Sequence, residues 1–155
     1  MCEKKFANDA GFSLIELLVT VAIIGVLASI AIPQFSAYKD SAKIAATASE
    51  IKTLSNVFYA YLSDNEEWPN DFHLAVPTYM SNYITQEQWN QEAPITGRYN
   101  WEGPDSYPYA GIAISGSTAT AAQLDKLDRM LDDGDRTTGR FRTGTNGRPV
   151  LILEE

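Results

Sequence analysis

The sequence has few of the side chains that form disulfides, metal sites and nucleophilic active sites. Its 155 residues include one cysteine, Cys2, and one histidine, His73. A single cysteine cannot form an intrachain disulfide, so the chain must fold by packing alone. One cysteine and one histidine are also too few to make a zinc site, or a catalytic triad built on a thiol or a histidine, a good prediction. We therefore expect His73 to be an ordinary surface or packed residue, and we expect the protein not to be an enzyme.

Positive charge is scarce as well. Twelve lysines and arginines stand against 20 aspartates and glutamates, which gives a formal net charge of −8. Binding to nucleic acid requires a basic face that neutralises phosphates. The charge balance therefore argues against nucleic acid as a partner.

The chain has one long apolar run near its N-terminus. From Phe12 to Ile32 it has 21 residues and a single charge, Glu16. As a helix this run spans roughly 31 Å, about the thickness of the hydrocarbon core of a bilayer. A carboxylate near the start of such a span costs on the order of 2.5–3.5 kcal/mol on insertion scales. The run therefore predicts a transmembrane helix. The cost of placing the Glu16 carboxylate in it indicates that this residue has a specific role.

The residues around this run resemble the N-terminus of type IV prepilins and type II secretion pseudopilins. The resemblance rests on Gly11 followed by FSLIEL, an acid five residues past the glycine, an unbroken apolar run and then Pro33. It implies that a prepilin peptidase cleaves between Gly11 and Phe12 on the cytoplasmic side and methylates the new amine of Phe12. One departure is that Asp9-Ala10 stands where a basic residue often precedes the glycine.

This interpretation divides the chain into three parts. Residues 1–11 are a leader peptide, residues 12–35 are a transmembrane and fibre-core helix, and residues 36–155 form a periplasmic or extracellular head. Two alternatives are an ordinary secretory signal, cut near residues 29–31, and a plain single-pass anchor. The run is longer than the usual 7–15 residues of a signal sequence and has an acid inside its start, which disfavours the first alternative.

Glu16 acquires a partner if the leader is removed. The free amine of Phe12 would then lie one helical turn from the Glu16 carboxylate. In a low dielectric the attraction between the two charges is strong, whereas burying either charge without the other is energetically unfavourable. The resemblance implies that the amine belongs to a neighbouring subunit, so that Glu16 sets the stagger of subunits in a fibre. The alternative is that Glu16 only complements the dipole at the helix start.

The helix is expected to continue beyond the apolar run, over about residues 12–63. Pro33 cannot donate a backbone hydrogen bond and should kink or loosen the helix without ending it. Apolar residues then recur at steps of three and four, which predicts a buried stripe for the head to pack against. These residues are Ile44, Ala48, Ile51, Leu54, Phe58 and Tyr61.

The last third of the sequence predicts a small antiparallel sheet with one extra helix. Residues 99–101 and 109–114 are candidate strands, and Thr120-x-x-Gln123 is a capping-box start for a helix over about 120–132. Residues 139–143 and 149–153 flank Asn146-Gly147, a strong hairpin signal. The predicted fold class is α+β and pilin-like, with one long N-terminal helix packed against a small antiparallel sheet.

Acidic residues crowd the end of the extra helix, around Gly134: Asp125, Asp128, Asp132, Asp133 and Asp135. Acids at a helix C-terminus oppose the helix dipole, so we expect compensation. Neighbouring arginines are the favoured source, and these are Arg129, Arg136, Arg140 and Arg142. We predict no cofactor; calcium is the alternative, because hard oxygen ligands are abundant and some pseudopilins bind it.

The resemblance implies a structural subunit of a helical filament. Its partners would be other pilin-like subunits, the prepilin peptidase, an inner-membrane assembly platform and, before assembly, membrane lipid. The expected location is the bacterial inner membrane, single-pass with the head in the periplasm, and then the filament. The absence of a C-terminal cysteine pair and the small head favour a type II secretion pseudopilin over a type IV pilus subunit. The alternative is a monomeric, membrane-anchored binding module with an acidic head.

Overall fold

The computed structural model describes residues 12–155. The predicted leader and its Gly11 lie outside these residues. The described part contains three α-helices, one turn of 3₁₀-helix and four strands. In chain order these are α1 (Leu14–Asn65), the 3₁₀ turn (Thr78–Met80), α2 (Gln86–Trp89), β1 (Arg98–Glu102), β2 (Ala110–Ser115), α3 (Ala121–Leu131), β3 (Phe141–Thr143) and β4 (Pro149–Glu154).

Helix α1 has 52 residues and contains Pro33 in its interior. The helix does not end at this proline, because helix-forming residues resume directly after it. It ends at Asn65, and the next residue, Glu66, has a positive φ of 61° that no helical residue adopts. The predicted long helix is confirmed, with bounds two residues later at each end.

The second half of α1 buries one face. All six residues of the predicted apolar stripe are buried, and so are Thr47 and Ser55 on the same face. These two hydroxyls are satisfied within the helix: Thr47 donates to the carbonyl of Lys43 at 2.9 Å and Ser55 to that of Ile51 at 2.8 Å. The spacing of three and four residues therefore predicted the core face correctly.

The four strands form one antiparallel sheet in the order β1-β2-β4-β3. Both predicted hairpins are present, β1–β2 and β3–β4. The second hairpin closes around Asn146-Gly147, where the Gly144 N–H donates to the Arg148 carbonyl at 2.8 Å. The α+β class predicted from the sequence is confirmed.

Aromatic rings join α1, β1 and the connecting segment into one core. Phe58 of α1 stacks on Trp101 of β1 with ring centroids 3.8 Å apart, and it meets Trp89 of α2 edge-on at 6.0 Å. Both indole N–H groups are satisfied by backbone carbonyls of the connecting segment: Trp101 donates to Pro69 and Trp89 to His73. Burial of these rings supplies much of the apolar area that stabilises so small a head.

The chain divides into two compact units, Met1–Tyr38 and Lys39–Glu155. In the described part, every buried residue lies in the second unit, from Ile44 to Leu153. The second unit therefore contains the whole of the described core.

Candidate functional site

The start of α1 is a reciprocal capping box. Ser13 precedes the helix, and its hydroxyl oxygen accepts a hydrogen bond from the Glu16 N–H at 3.3 Å. The Glu16 carboxylate in turn accepts from the N–H and from the hydroxyl of Ser13, each at 2.9 Å. This arrangement satisfies two of the N–H groups that a helix start leaves unpaired. The signal Ser-x-x-Glu for this cap is present in the sequence at Ser13–Glu16.

The first half of α1 exposes its apolar side chains. Phe12, the residue at the predicted processing position, is 85 % exposed, and Phe35 is 73 % exposed. An 18-residue window of this helix has a mean hydropathy of 2.6, and none of that window is buried. By length and composition the helix can cross a membrane, and so long an exposed apolar surface requires a partner or lipid to cover it.

The predicted assembly residues lie on one segment. Glu16 is in the first turn of α1 and Pro33 is inside the same helix. In the uncleaved chain the Phe12 nitrogen is an ordinary peptide nitrogen, and the carboxylate of Glu16 is bound by Ser13 instead. The Phe12–Glu16 pairing, the processing at Gly11 and the kink at Pro33 stay predictions.

A second group of acids lies where α3 leads into β3. One carboxylate oxygen each from Asp128, Asp132 and Asp133 lies within 4.8 Å of the other two. Asp128 is fully buried, and neither of its oxygens has a hydrogen-bond partner among residues 12–155. Burial raises the pKa of Asp128, and the neighbouring acids raise it further, while the backbone N–H of Gly134, which lies nearby without forming a well-aligned hydrogen bond, lowers it.

The arginine side chains that we expected to neutralise these acids form an ion pair only at the edge of the group. Arg136 pairs with Asp125, with the Nε atom 2.6 Å from Oδ1. Arg142 pairs with Glu155, at the end of the chain. The guanidinium of Arg140 donates to Tyr59 and to the carbonyls of Ile152 and Leu153. Within the described part of the chain, no ion pair reaches the acids that gather around Asp128.

Sequence reasoning missed a second buried acid, Glu102, at the end of β1. Its carboxylate accepts from the Tyr109 hydroxyl at 2.8 Å and from the Asn146 side-chain amide at 2.7 Å, and Arg148 lies 3.6 Å away. These contacts connect the β3–β4 turn to the end of β1. Because the partners are seven to 46 residues away along the chain, no local pattern could have revealed this network.

His73 is exposed and lies 3.4 Å from Asp71, with its Nε2 atom facing the carboxylate. It is not among the residues that gather around Asp128. This agrees with the expected surface histidine.

Comparison with known proteins identifies one sequence motif and two kinds of relative. The model of the prokaryotic N-terminal methylation motif matches residues 6–32. The type II secretion system core protein G of Pseudomonas aeruginosa is 36 % identical over 63 residues, which cover 41 % of this chain and 44 % of the relative. A fimbrial protein of the same species is 40 % identical over 57 residues, 37 % of each chain. The chain thus spans less than half the length of these curated relatives.

The similarity extends further in three dimensions. The solved structure of the major type IV pilin of Clostridium difficile matches with a TM-score of 0.53, over 75 % of this chain and 97 % of that chain. The sequence identity of this pair is 20 %, so the match concerns the fold. The long helix and the small antiparallel sheet are the features of that pilin fold.

Proposed function

Because the chain carries the N-terminal methylation motif of type IV prepilins and type II secretion pseudopilins on a pilin fold, we propose that it is a structural subunit of a helical filament. This proposal rests on the contrast between the two parts of the chain. The head has a complete core, whereas the apolar side chains of residues 12–35 are exposed along the helix. Lipid covers this surface before assembly, and neighbouring subunits cover it in the filament.

We propose that processing prepares the chain for assembly. A prepilin peptidase removes residues 1–11 and methylates the amine of Phe12, and an inner-membrane platform then adds the subunit to the filament. The new ammonium group of Phe12 is directly next to Ser13, which holds the Glu16 carboxylate in the uncleaved chain. In a low dielectric this carboxylate gains far more from an ammonium group than from a hydroxyl. An ammonium group from a neighbouring subunit sets the stagger between helices.

The intact mass of the protein from membranes, with and without the prepilin peptidase, tests the processing step. We expect a mass that has lost residues 1–11 and gained one methyl group, only in cells that have the peptidase. A full-length mass in both strains would refute the proposal and favour the monomeric membrane anchor. Cleavage beyond Ile32 would instead indicate a secreted soluble domain.

Two variants separate the charge of Glu16 from its capping role. Glu16→Gln removes the charge but keeps an oxygen that can accept from Ser13, whereas Ser13→Ala removes the capping hydroxyl and keeps the charge. We expect both to be processed, with filament yield lost in Glu16→Gln and retained in Ser13→Ala. A filament yield in Glu16→Gln equal to that of the unmodified chain would show that the carboxylate charge does not direct assembly.

Among filament types we propose a type II secretion pseudopilus, because the head is small and the chain has no C-terminal cysteine pair. Relatives of both kinds have similar identities, so the choice requires an experiment. Electron microscopy of a deletion strain distinguishes the two. Loss of long surface fibres would indicate a pilus, whereas unchanged surface fibres with impaired protein secretion would indicate the pseudopilus.

A further inference from the structure

The sheet has an outer face, turned away from the core that it shares with α1, and a cavity with polar walls lies on this face. We call this cavity the arginine pocket, and its polar walls include Arg98, Asn100, Ser115 and Arg148. Its volume is about 240 Å³. Pockets that hold drug-sized molecules are larger, at roughly 300–1,000 Å³. The arginine pocket therefore suits a small ion or a single functional group.

The register of the strands brings these polar residues together. Tyr99 of β1 belongs to the core shared with α1, so its neighbours Arg98 and Asn100 point to the outer face. Arg98 lies directly opposite Ser115 of β2. On the other side of β2, the register of β4 extended by two residues places Arg148 beside Ser115. The Ser115 side chain therefore lies between the side chains of two arginines, and Asn100 lies next to them.

Two buried donors at the arginine pocket lack an acceptor. Asn100 is only 3 % exposed, and its amide Nδ2 forms no hydrogen bond with residues 12–155. The Nη1 atom of Arg148 is also buried without a hydrogen bond, because the Glu102 carboxylate is 3.6 Å away, beyond hydrogen-bond distance. A buried donor without an acceptor is unfavourable, and native structures contain few of them. The pocket is the open space beside both residues, which indicates that an acceptor belongs there.

The guanidinium group of Arg98 supplies a positive charge without a partner. Glu102 lies beside Arg148 and balances the charge of that arginine. Arg98, by contrast, forms no ion pair with any residue that the structure describes. Glu92 faces Arg98 across an isolated backbone bridge, but their charged groups are not in contact. A free guanidinium next to two donors without acceptors indicates that the missing acceptor is an anion.

We propose that Arg98, Asn100, Ser115 and Arg148 bind one phosphate group, either as the free ion or as a phosphate ester. Two guanidinium groups, a hydroxyl and an amide offer more donors than the roughly four lone-pair sites of a carboxylate accept. A tetrahedral oxyanion has further oxygens, and arginine forks match its geometry. His73 also borders the pocket, but it faces an aspartate.

The arginine pocket holds one phosphate group and is not a nucleic-acid site, because a nucleic-acid backbone requires a continuous basic face. The pocket lies outside residues 6–32, which carry the methylation motif. This inference therefore does not depend on the proposed filament function.

Titration of inorganic phosphate into the purified full-length chain, in non-ionic detergent micelles at constant ionic strength, tests the proposal. Isothermal titration should show saturable binding of one phosphate per chain at millimolar concentration. Arg98→Gln should weaken this binding at least tenfold, because a charge-assisted contact is lost. Ser115→Ala should weaken it less. Lys52→Gln, which removes one exposed positive charge outside the pocket, is the matched control and should bind as the unmodified chain does.

Two further probes define the anion. Acetate, a carboxylate, should bind at least tenfold more weakly than phosphate. Glycerol 3-phosphate distinguishes the sources of the phosphate group: tighter binding than that of inorganic phosphate assigns the pocket to an ester, and weaker binding assigns it to the free ion.

Thermal unfolding separates binding from folding. Arg98 is exposed and unpaired, so Arg98→Gln without phosphate should unfold at the same temperature as the unmodified chain. Phosphate should raise the Tm of the unmodified chain and of Lys52→Gln, because it binds the folded state, but it should not raise the Tm of Arg98→Gln.

Any of four results would overturn the proposal. The first is the absence of saturable binding of both phosphate probes at millimolar concentration, and the second is undiminished binding in Arg98→Gln. The third is equal weakening in Arg98→Gln and Lys52→Gln, which would indicate a general effect of net charge. The fourth is acetate binding as tight as that of phosphate. Each readout is made on purified protein, so failure of filament assembly would not affect it.

Discussion

At the scale of single residues, Tyr99 shows how one polar contact joins the long helix to the sheet. Tyr99 of β1 is buried, and its hydroxyl donates to the Glu50 carboxylate of α1 at 2.7 Å. Burial raises the pKa of Tyr99 strongly, and the hydrogen bond to Glu50 raises it further. The phenol therefore stays protonated in the folded head at pH values where an exposed tyrosine ionises.

This shift predicts a loss of stability at alkaline pH. The contribution of Tyr99 is fully present below its unfolded pKa of about 10 and is lost as the pH rises above that value toward the folded pKa. We expect the Tm to fall steadily above pH 10, and to fall less steeply in Tyr99→Phe. Thermal unfolding followed by circular dichroism between pH 8 and pH 12 measures both slopes.

Tyr38→Phe is the control for this measurement, because the Tyr38 side chain is 72 % exposed. It should leave the slope unchanged. Tyr79, Tyr83 and Tyr109 also have raised pKa values, so Tyr99→Phe removes only part of the alkaline effect. Identical slopes for Tyr99→Phe and the unmodified chain would contradict the assignment.

At the scale of elements, the three α-helices of the described chain begin in the same way. Each has a hydroxyl residue followed three positions later by Glu or Gln, with both capping bonds formed. The pairs are Ser13 with Glu16, Thr85 with Gln88, and Thr120 with Gln123. A capping box stabilises a helix start independently of packing. This matters most for α3, because the acids Asp128, Asp132 and Asp133 lie at its C-terminal end.

Removal of the cap of α3 should destabilise the head. Thr120 accepts the Gln123 N–H at 3.3 Å, and Gln123 accepts the Thr120 N–H at 2.9 Å. Thr120→Ala removes the hydroxyl and should lower the free energy of unfolding by about 1 kcal/mol. Urea unfolding of the purified chain measures the change.

Thr120→Ser keeps the hydroxyl and should restore nearly all of the lost stability. If Ala and Ser at this position lowered stability equally, the lost contribution would come from the threonine methyl group and its packing. The predicted capping role of Thr120 would then be wrong.

At the scale of the whole molecule, the core and the exposed apolar surface occupy different parts of the chain. Among the described residues, burial begins at Ile44, whereas the apolar side chains of residues 12–35 are exposed. Apolar burial is the main favourable term in folding. The stability of the head should therefore depend on the second unit alone.

A fragment consisting of Lys39–Glu155 should consequently fold without detergent. We expect a monomer with helical and strand signals in circular dichroism and a cooperative thermal transition within a few degrees of that of the full chain. Size-exclusion chromatography and thermal unfolding check these outcomes. A fragment that aggregates or melts without cooperativity would show that residues before Lys39 contribute to the fold of the head.

Local patterns in the sequence accounted for a large part of this fold. The steps of three and four from Ile44 to Tyr61 located the buried face of α1, because helical periodicity places those residues on one side. Thr120-x-x-Gln123 located α3, and Asn146-Gly147 located the second hairpin, because both depend on neighbours within a few residues. The same kind of pattern places Asp128 on the buried side of α3. It is four residues after Leu124 and three before Leu131, on the leucine face of α3.

The sequence by itself therefore determined the elements, the methylation motif and the apolar span, because each is set by contacts or periodicity within a short stretch. Only the tertiary structure decided the strand order, in which β2 lies between β1 and β4, since such pairing joins segments that are distant in the chain. It also decided the burial of Glu102 with Asn146 and the convergence of Asp128, Asp132 and Asp133. Charges gain or lose partners through packing of distant surfaces, and no local pattern encodes that packing.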